Sequence, residues 1–394
     1  MAKKIIVSGV GCCLVDRLYN TTFSSESYIP YLSKDKGDGG LTPGQLVFRE
    51  EFEKFSAKDF RLVLKELTAD RYRDKINIGG PSIVSMIHAS QLSADLDCEY
   101  HLYGCRGDDK DGEFIMSLLR RTPLLVDNYR SSELETPSTI VLSDPDYDHG
   151  NGERIFINSI GSAWEYSPDE LNEDFFKSDV VVFGGTALVP LIHDHMTELL
   201  IKAKSNGCIT VVNTVYDFRN ERANPHLKWP LGKSDESYRN IDLLMTDLEE
   251  ALRLSGKSNL DEAMLFFRDQ GTGTVIVTSG AENIRIFSNG KLFKPLKDTV
   301  MPISSAISDE LKKGHSGDTT GCGDNFAGGV IASLVSQINK GINTPDMVEA
   351  CSWGIVSGGT SCFYMGGMYE EKSYGEKKKM IEPYYSKYKK QIEE

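Results

Sequence analysis

The chain has 394 residues, 26% of them charged and 40% hydrophobic, the mix of a globular protein able to bury a large core. Its 44 basic residues are outnumbered by 58 acidic ones, for a net charge of −14. That excludes bulk binding to nucleic acid or to an anionic membrane surface, both of which need a basic footprint. Small anions stay admissible, because a local backbone site can hold a phosphate against the global charge.

The opening MAKKIIVSGV carries an apolar run too short for a secretory signal, so residues 5–10 are read as a first strand. No stretch approaches the roughly 18 apolar residues of a membrane span. Residues 17–75 hold a polar, Gly-rich stretch (34–44) and then a charged, aromatic one (45–67). Residues 134–165 read STIVLSD, DYDHGNGE and RIFINS in turn, which predicts a hairpin with one solvated face. Together these two regions are expected to form a small β-rich lid.

Strands are predicted at 180–184, 209–215, 243–246 and 275–278, alternating with helices at 195–204, 248–254 and 262–268. Gly207, Gly256 and Gly271 stand where those helices should stop. Such alternation specifies a parallel sheet covered by helices. Ligands bind such sheets outside the carboxyl ends of the strands. Asp16, Asn213, Asp217, Thr246, Glu249, Thr278 and Gly280 follow strands and should therefore collect at one edge. The tail, 371–394, is charged with interleaved tyrosines and is expected to be a solvated helical extension. The eight cysteines include no Cys-x-x-Cys spacing, which argues against zinc and for reduced thiols in a cytoplasmic protein.

The most informative stretch is GDTTGCGDNFAGG, residues 317–329. After Asp324, apolar residues recur at helical spacing (Phe326, Val330, Ile331, Leu334), and Gly341 and Pro345 end the pattern. Gly321, Cys322 and Gly323 then lie at a helix N-terminus, where unpaired amides and the helix dipole favour an anion. A carboxylate beside bound phosphate is repulsive. Asp324 is explained there as a general base, taking a proton from the hydroxyl that attacks phosphorus. The amides would stabilise charge on the transferred phosphoryl group.

With its Asp318, Thr319, Gly321, Gly323, Asp324, Gly328 and Gly329, this stretch resembles the signature of the ribokinase family, also called the phosphofructokinase-B family of carbohydrate kinases. Cys322 stands where that signature usually has Ala. Other stretches are similar in the same order. VSGVGCCLVD resembles the first strand, with Asp16 where the family binds substrate hydroxyls. INIGGPSIVSMIHAS resembles the glycine pair before a helix, with Gly79 and Gly80, and with Val84 in place of a usual asparagine. TDLEEA resembles an Asn-x-x-Glu motif near magnesium, read here with Glu249 as the glutamate and Thr246 in place of the asparagine. VTSGAENIRIF resembles the nucleotide-side strand, with Thr278 and Gly280.

The resemblance covers about residues 4–365. It implies a single ribokinase-like α/β domain, with lid segments at about 17–75 and 134–165 and a C-terminal extension at 371–394. It also implies ATP-dependent phosphorylation of a hydroxyl, commonly a hydroxymethyl group, on a sugar or sugar derivative. Asp324 would be the base, with Gly321, Cys322 and Gly323 as the anion hole. Asp16, Gly79 and Gly80 would hold the acceptor. Thr278, Gly280, Thr320 and Asp318 would serve ATP, and Glu249 would serve Mg2+. Lids of this family sometimes pair, so a homodimer through the lid is also implied as an option. A nucleoside acceptor of the adenosine type and a non-catalytic regulatory relative stay open as alternatives. A P-loop enzyme is excluded by the missing Gly-x-x-x-x-Gly-Lys-Ser/Thr run. A dinucleotide enzyme is disfavoured because GVGCCL lacks the third glycine.

Overall fold

The computed structural model describes residues 4–35, 37–150, 152–314 and 319–393. Its strands are β1 (Ile5–Gly11), β2 (Leu14–Asn20), β3 (Leu46–Phe48), β4 (Lys75–Gly79), β5 (Cys98–Gly107), β6 (Leu125–Ser132) and β7 (Ser138–Asp144). They continue with β8 (Glu153–Ser159), β9 (Val180–Gly184), β10 (Ile209–Asn213), β11 (Leu243–Asp247), β12 (Thr274–Thr278), β13 (Ile284–Ser288) and β14 (Leu296–Met301).

Nine strands form one sheet in the order β14-β13-β12-β11-β10-β9-β1-β5-β6. Pairing is parallel from β6 to β12 and antiparallel from β12 to β14. Central strands are apolar on both faces, as burial by helices on either side requires: all five residues of β9 are buried. The chain returns to both sides of β1, to β5 on one and β9 on the other. That reversal opens a crevice at the carboxyl ends, the usual ligand position in such sheets.

Three helices cover the face nearest the crevice. The helix Pro81–Leu92 is buried at all twelve positions and packs against Cys322–Asn339, which packs in turn on Met347–Ser361. Gly328 and Gly329 make that sandwich thin. A Cβ on Gly328 would lie 2.6 Å from the Ser85 carbonyl oxygen, and one on Gly329 would lie 2.5 Å from Ser357 Oγ. One glycine admits each neighbouring helix.

The second sheet has the order β3-β8-β7-β2-β4. Its central hairpin, β7 and β8, is antiparallel, and β2 joins it in parallel. The two segments that interrupt the βα alternation thus meet in one sheet. One face of it, Ile140, Leu142, Ile155 and Ile157, packs with Tyr19, Phe23, Tyr28, Phe52, Phe60 and Val63 into a separate apolar cluster. The helices Arg49–Ser56 and Phe60–Thr68 carry much of that cluster. The long segment 17–75 therefore has its own core, which explains its aromatic content.

The tail is helical over Glu376–Glu393, but it is not solvated. Ile381 and Tyr388 are fully buried, the Tyr388 hydroxyl donates to the Pro302 carbonyl at 2.6 Å, and Tyr385 stacks on Trp353 with centroids 4.3 Å apart. Apolar residues three, four and seven apart line one side of this helix, and a charged majority conceals that stripe in composition. None of the helices among the described residues is long and apolar enough to cross a membrane.

Candidate active site

A cavity of about 290 Å3 opens at the crevice. Three sheet strands end on it, through Asn213 of β10, Asp247 of β11 and Thr278 of β12. Leu14 and Asp16 of β2 reach it from the smaller sheet, Gly80 and Pro81 from the turn before the buried helix, and Gly323, Asp324 and Phe326 from the signature helix. Residues far apart in sequence thus share one wall.

The signature turn begins a helix without a side-chain cap. Gly321, at φ +73°, is the N-cap of the helix Cys322–Asn339, and no side chain caps it. The first amides of a helix have no partner within it. A Cβ on Gly321 would lie 2.6 Å from Gly367 Cα, whereas one on Gly323 would meet nothing within 4 Å. One glycine permits close backbone packing and the other faces open space. Asp324 sits in the first turn, and burial pushes its carboxyl up to about 7.

Behind the turn lies Asn325, which is completely buried. Its Nδ2 donates to the carbonyls of Gly321 and Gly367, each at 2.8 Å. Its Oδ1 accepts from Tyr364 at 3.1 Å and from Lys377 Nζ at 2.9 Å. Two donors and two acceptor positions are all an asparagine amide offers, so this one is saturated.

Asp16 is in a strand of the smaller sheet, not in the loop after β1. It stands opposite Asn77 of β4 and Thr139 of β7, and Thr139 stands opposite Asn158 of β8. Directly paired residues share a sheet face. Asp16, Asn77, Thr139 and Asn158 therefore form a polar row on the face turned away from the apolar cluster. Asn158 Nδ2 donates to Thr139 Oγ1 at 3.0 Å, and its buried Oδ1 has no hydrogen-bond partner among the described residues. Gly79 lies beside this row: a Cβ there would be 2.2 Å from Asp16 Oδ2.

The carboxylate at the cavity is Glu250, not Glu249. Asp247 caps the helix Leu248–Ser255 and closes a reciprocal capping box with Glu250, which turns the third helical residue back toward the strand end. Glu249, one position earlier, is exposed and is not on the cavity wall. The three-residue spacing read as Thr246 and Glu249 belongs instead to Asp247 and Glu250. Glu250 Oε2 accepts from Thr214, Thr246 and the Asp247 amide. Its burial, then the Asp247 charge, push its carboxyl up to about 7. A capping-box pattern, Asp-x-x-Glu before an apolar run, was the signal in the sequence.

Of the other residues singled out, Thr278, Gly80 and Thr246 are on the cavity wall. Gly79, Gly280, Gly321, Cys322 and Thr320 are not. Asp318 and His315 lie outside the described residues. Val84 is buried among helices and packs toward Gly367. Asp217 caps a short helix and pairs with buried His193 at 3.3 Å, while Arg219 pairs with Asp194; neither is on the cavity wall. Among the described residues no group of three or more His, Cys, Asp or Glu could hold a metal ion unaided.

The pfkB family carbohydrate kinase profile matches residues 65–372. The chain belongs to the pfkB family of carbohydrate kinases. Members of this family are ATP-dependent phosphotransferases. Two relatives are the probable fructokinase-4 of Arabidopsis thaliana, 22% identical over 249 residues, and the adenosine kinase of Schizosaccharomyces pombe, 25% identical over 254. Each alignment takes in 59% of this chain, and 67% and 66% of the respective relative. In fold, this pfkB chain is similar to a probable sugar kinase from Rhizobium etli CFN 42 (TM-score 0.69, 14% identity, 97% of this chain and 99% of that one). It is also similar to an E. coli protein described as a ribokinase II and solved with ATP and Mg2+ (TM-score 0.64, 17% identity, 97% and 99%).

Proposed function

We propose that this pfkB protein transfers the γ-phosphoryl group of ATP to a hydroxyl, most simply a hydroxymethyl group, of a sugar or sugar derivative. The observation that carries the reading is Asp324: a desolvated carboxylate beside the orphan amides of an uncapped helix, on the wall of a cavity between two sheets.

Asp324 accepts the proton of the attacking hydroxyl. A base with a pKa near the working pH suits that task. The Cys322 amide donates to the Thr319 carbonyl at 3.4 Å, so the amides of Gly323 and Asp324 are the donors left to face charge that builds on the transferred oxygens, as preorganised donors should. Asp16, with its row partners Asn77 and Thr139, orients the acceptor's hydroxyls, and Gly79 and Gly80 leave room for it. Thr278 borders the nucleotide. Gly280, Thr320 and Asp318 are assigned to the same side on resemblance alone. The smaller sheet acts as the lid, excluding water that would otherwise compete as acceptor.

Asp247 and Glu250 fit Mg2+ better than Glu249 does. Both are oxygen donors, as this ion prefers, and two carboxylates are too few for a closed protein cage, which suits an ion bound largely through water and phosphates. Their mutual repulsion is relieved by a cation. Asp247 and Glu250 would hold the ion near the phosphates, and it would supply neutralisation of their charge.

A nucleoside acceptor is the second reading. The adenosine kinase relative favours it, and the polar row of the smaller sheet would suit ribose hydroxyls equally well. ADP release from Mg-ATP, measured with free sugars, sugar acids, sugar phosphates and nucleosides, separates the two. Acceptor-dependent ADP that disappears in Asp324→Asn establishes the kinase and its acceptor class. ADP release that survives the substitution removes Asp324 from the role of base.

A further inference from the structure

Arg222 joins the body of the protein to the long segment carried by the smaller sheet. It belongs to the short helix Phe218–Ala223, which follows β10 by way of Thr214 and Val215 on the cavity wall. Its Nη1 pairs with the Glu51 carboxylate on the helix Arg49–Ser56. Its Nη2 donates to the Gly37 carbonyl at 3.4 Å.

Both ends of this link are anchored. On the body side, Asp217 caps the short helix and pairs with buried His193. Glu221 accepts from Trp229 Nε1 at 3.0 Å and from Arg253, and Arg253 belongs to the helix that carries Glu250. On the lid side, the Asp38 carboxylate accepts from the amides of Lys34, Asp35 and Gly40, which fixes the turn presenting Gly37. A Cβ on Gly39 would lie 3.0 Å from the Glu51 carbonyl oxygen, so this turn is packed on the Glu51 helix. Leu46 and Phe48, just before that helix, join the same apolar cluster as Val215, Tyr216 and Phe218, just before Arg222.

We propose that Arg222 is a positioning residue for the acceptor: its link to Glu51 and Gly37 latches the lid over the cavity. The effect on acceptor binding rests on the kinase reading; the latch itself does not. A fully exposed ion pair contributes little, because water screens it and two long side chains must be ordered. These side chains are 38% and 26% exposed, and partly buried pairs are screened less. Each also stands on an anchored element, so less ordering remains to oppose the contact. A small bias toward closure becomes affinity, since the apparent dissociation constant is the intrinsic one divided by the closed fraction. Arg222 is not on the cavity wall, so the chemistry of the closed state is left as it was.

The test uses the full chain and whichever acceptor of the sugar and nucleoside panel supports ADP release. Arg222→Glu is expected to raise the KM for that acceptor at least ~3-fold, with kcat and the KM for ATP within about twofold of wild type. Amide hydrogen exchange over residues 37–56, read without ATP or acceptor, should quicken at least ~3-fold in the same variant. Glu51→Arg alone should behave likewise, and the swapped pair, Arg222→Glu with Glu51→Arg, should recover most of both losses. Added NaCl should raise the wild-type KM and leave that of Arg222→Gln unmoved. A swapped pair as poor as either single variant overturns the proposal. So does a fall in kcat with KM unmoved, or quickened hydrogen exchange with KM unchanged. If wild type releases no ADP with any acceptor, the kinase reading falls, and hydrogen exchange in the single and swapped variants alone decides the latch.

Discussion

Lys377 Nζ lies 2.9 Å from Asn325 Oδ1, so the C-terminal helix is hydrogen-bonded to the residue next to the proposed base. Lys377 is fully buried, and its Nζ lies 5.4 Å from the centre of the Tyr364 ring. Desolvation pulls its ammonium down to about 7, against the opposing pull of Glu371. A cation is therefore held at a cost, where it fixes the amide behind the anion turn.

That cost has a pH signature. The folded pKa lies below the usual lysine value, so between about pH 7 and 10.5 the unfolded chain binds the extra proton. Stability attributable to Lys377 rises with pH across that window, by at most ~1.4 kcal/mol per pH unit, and is lost again as pH falls toward 7. The difference between wild type and Lys377→Met in denaturant midpoint should show this slope. Parallel curves from pH 7 to 10 would mean that the amine is not desolvated.

Asn325→Ala should cost roughly 2–4 kcal/mol, because it takes the side-chain donor from the Gly367 carbonyl and leaves a buried ammonium with fewer partners. Chemical denaturation measures this. A loss under 0.5 kcal/mol would indicate that water replaces the amide.

The raised pKa of Asp324 predicts the acid limb of kcat/KM. The base works only when ionised, so kcat/KM should rise with pH through about 7 and level off above it. Ionisation of a desolvated carboxyl also opposes folding. Its folded pKa lies above the ordinary carboxylate value, so stability is lost as pH rises through about 7. Asp324→Asn should therefore cut turnover by at least ~100-fold yet resist denaturant better than wild type at pH 8, with that advantage gone near pH 4. A variant less stable than wild type at pH 8 would contradict the burial argument.

The two neighbouring glutamates should behave differently. Glu250→Gln is expected to raise the Mg2+ concentration needed for half-maximal turnover by ~10-fold or more, while Glu249→Gln stays within about twofold of wild type. Titrating Mg2+ at saturating ATP compares them; the opposite order would restore Glu249 to the site.

Much of this protein was legible in one dimension. Alternating strands and helices, helix stops at Gly207 and Gly256, and the glycine-flanked Asp324 are local patterns. Local patterns survive without a tertiary frame because backbone conformation and capping act over a few residues. The carboxylates needed more. Whether Glu249 or Glu250 faces the cavity depends on a rotation of about 100° per helical residue, and the cap at Asp247 sets that rotation. The tail read as solvated because composition averages over all sides of a helix, whereas Ile381 and Tyr388 occupy only one. The pairing of Asp217 with buried His193 was equally invisible, because the two are 24 residues apart and meet only in the fold.

The row of Asp16, Asn77, Thr139 and Asn158 was beyond sequence altogether, since strand register between segments over a hundred residues apart is set by side-chain packing across the sheet. The sequence by itself determined the chemistry available at the signature turn. Only the tertiary structure decided which distant side chains stand around it, because those contacts are chosen by burial of the two apolar sheet faces and not by any residue near Asp324.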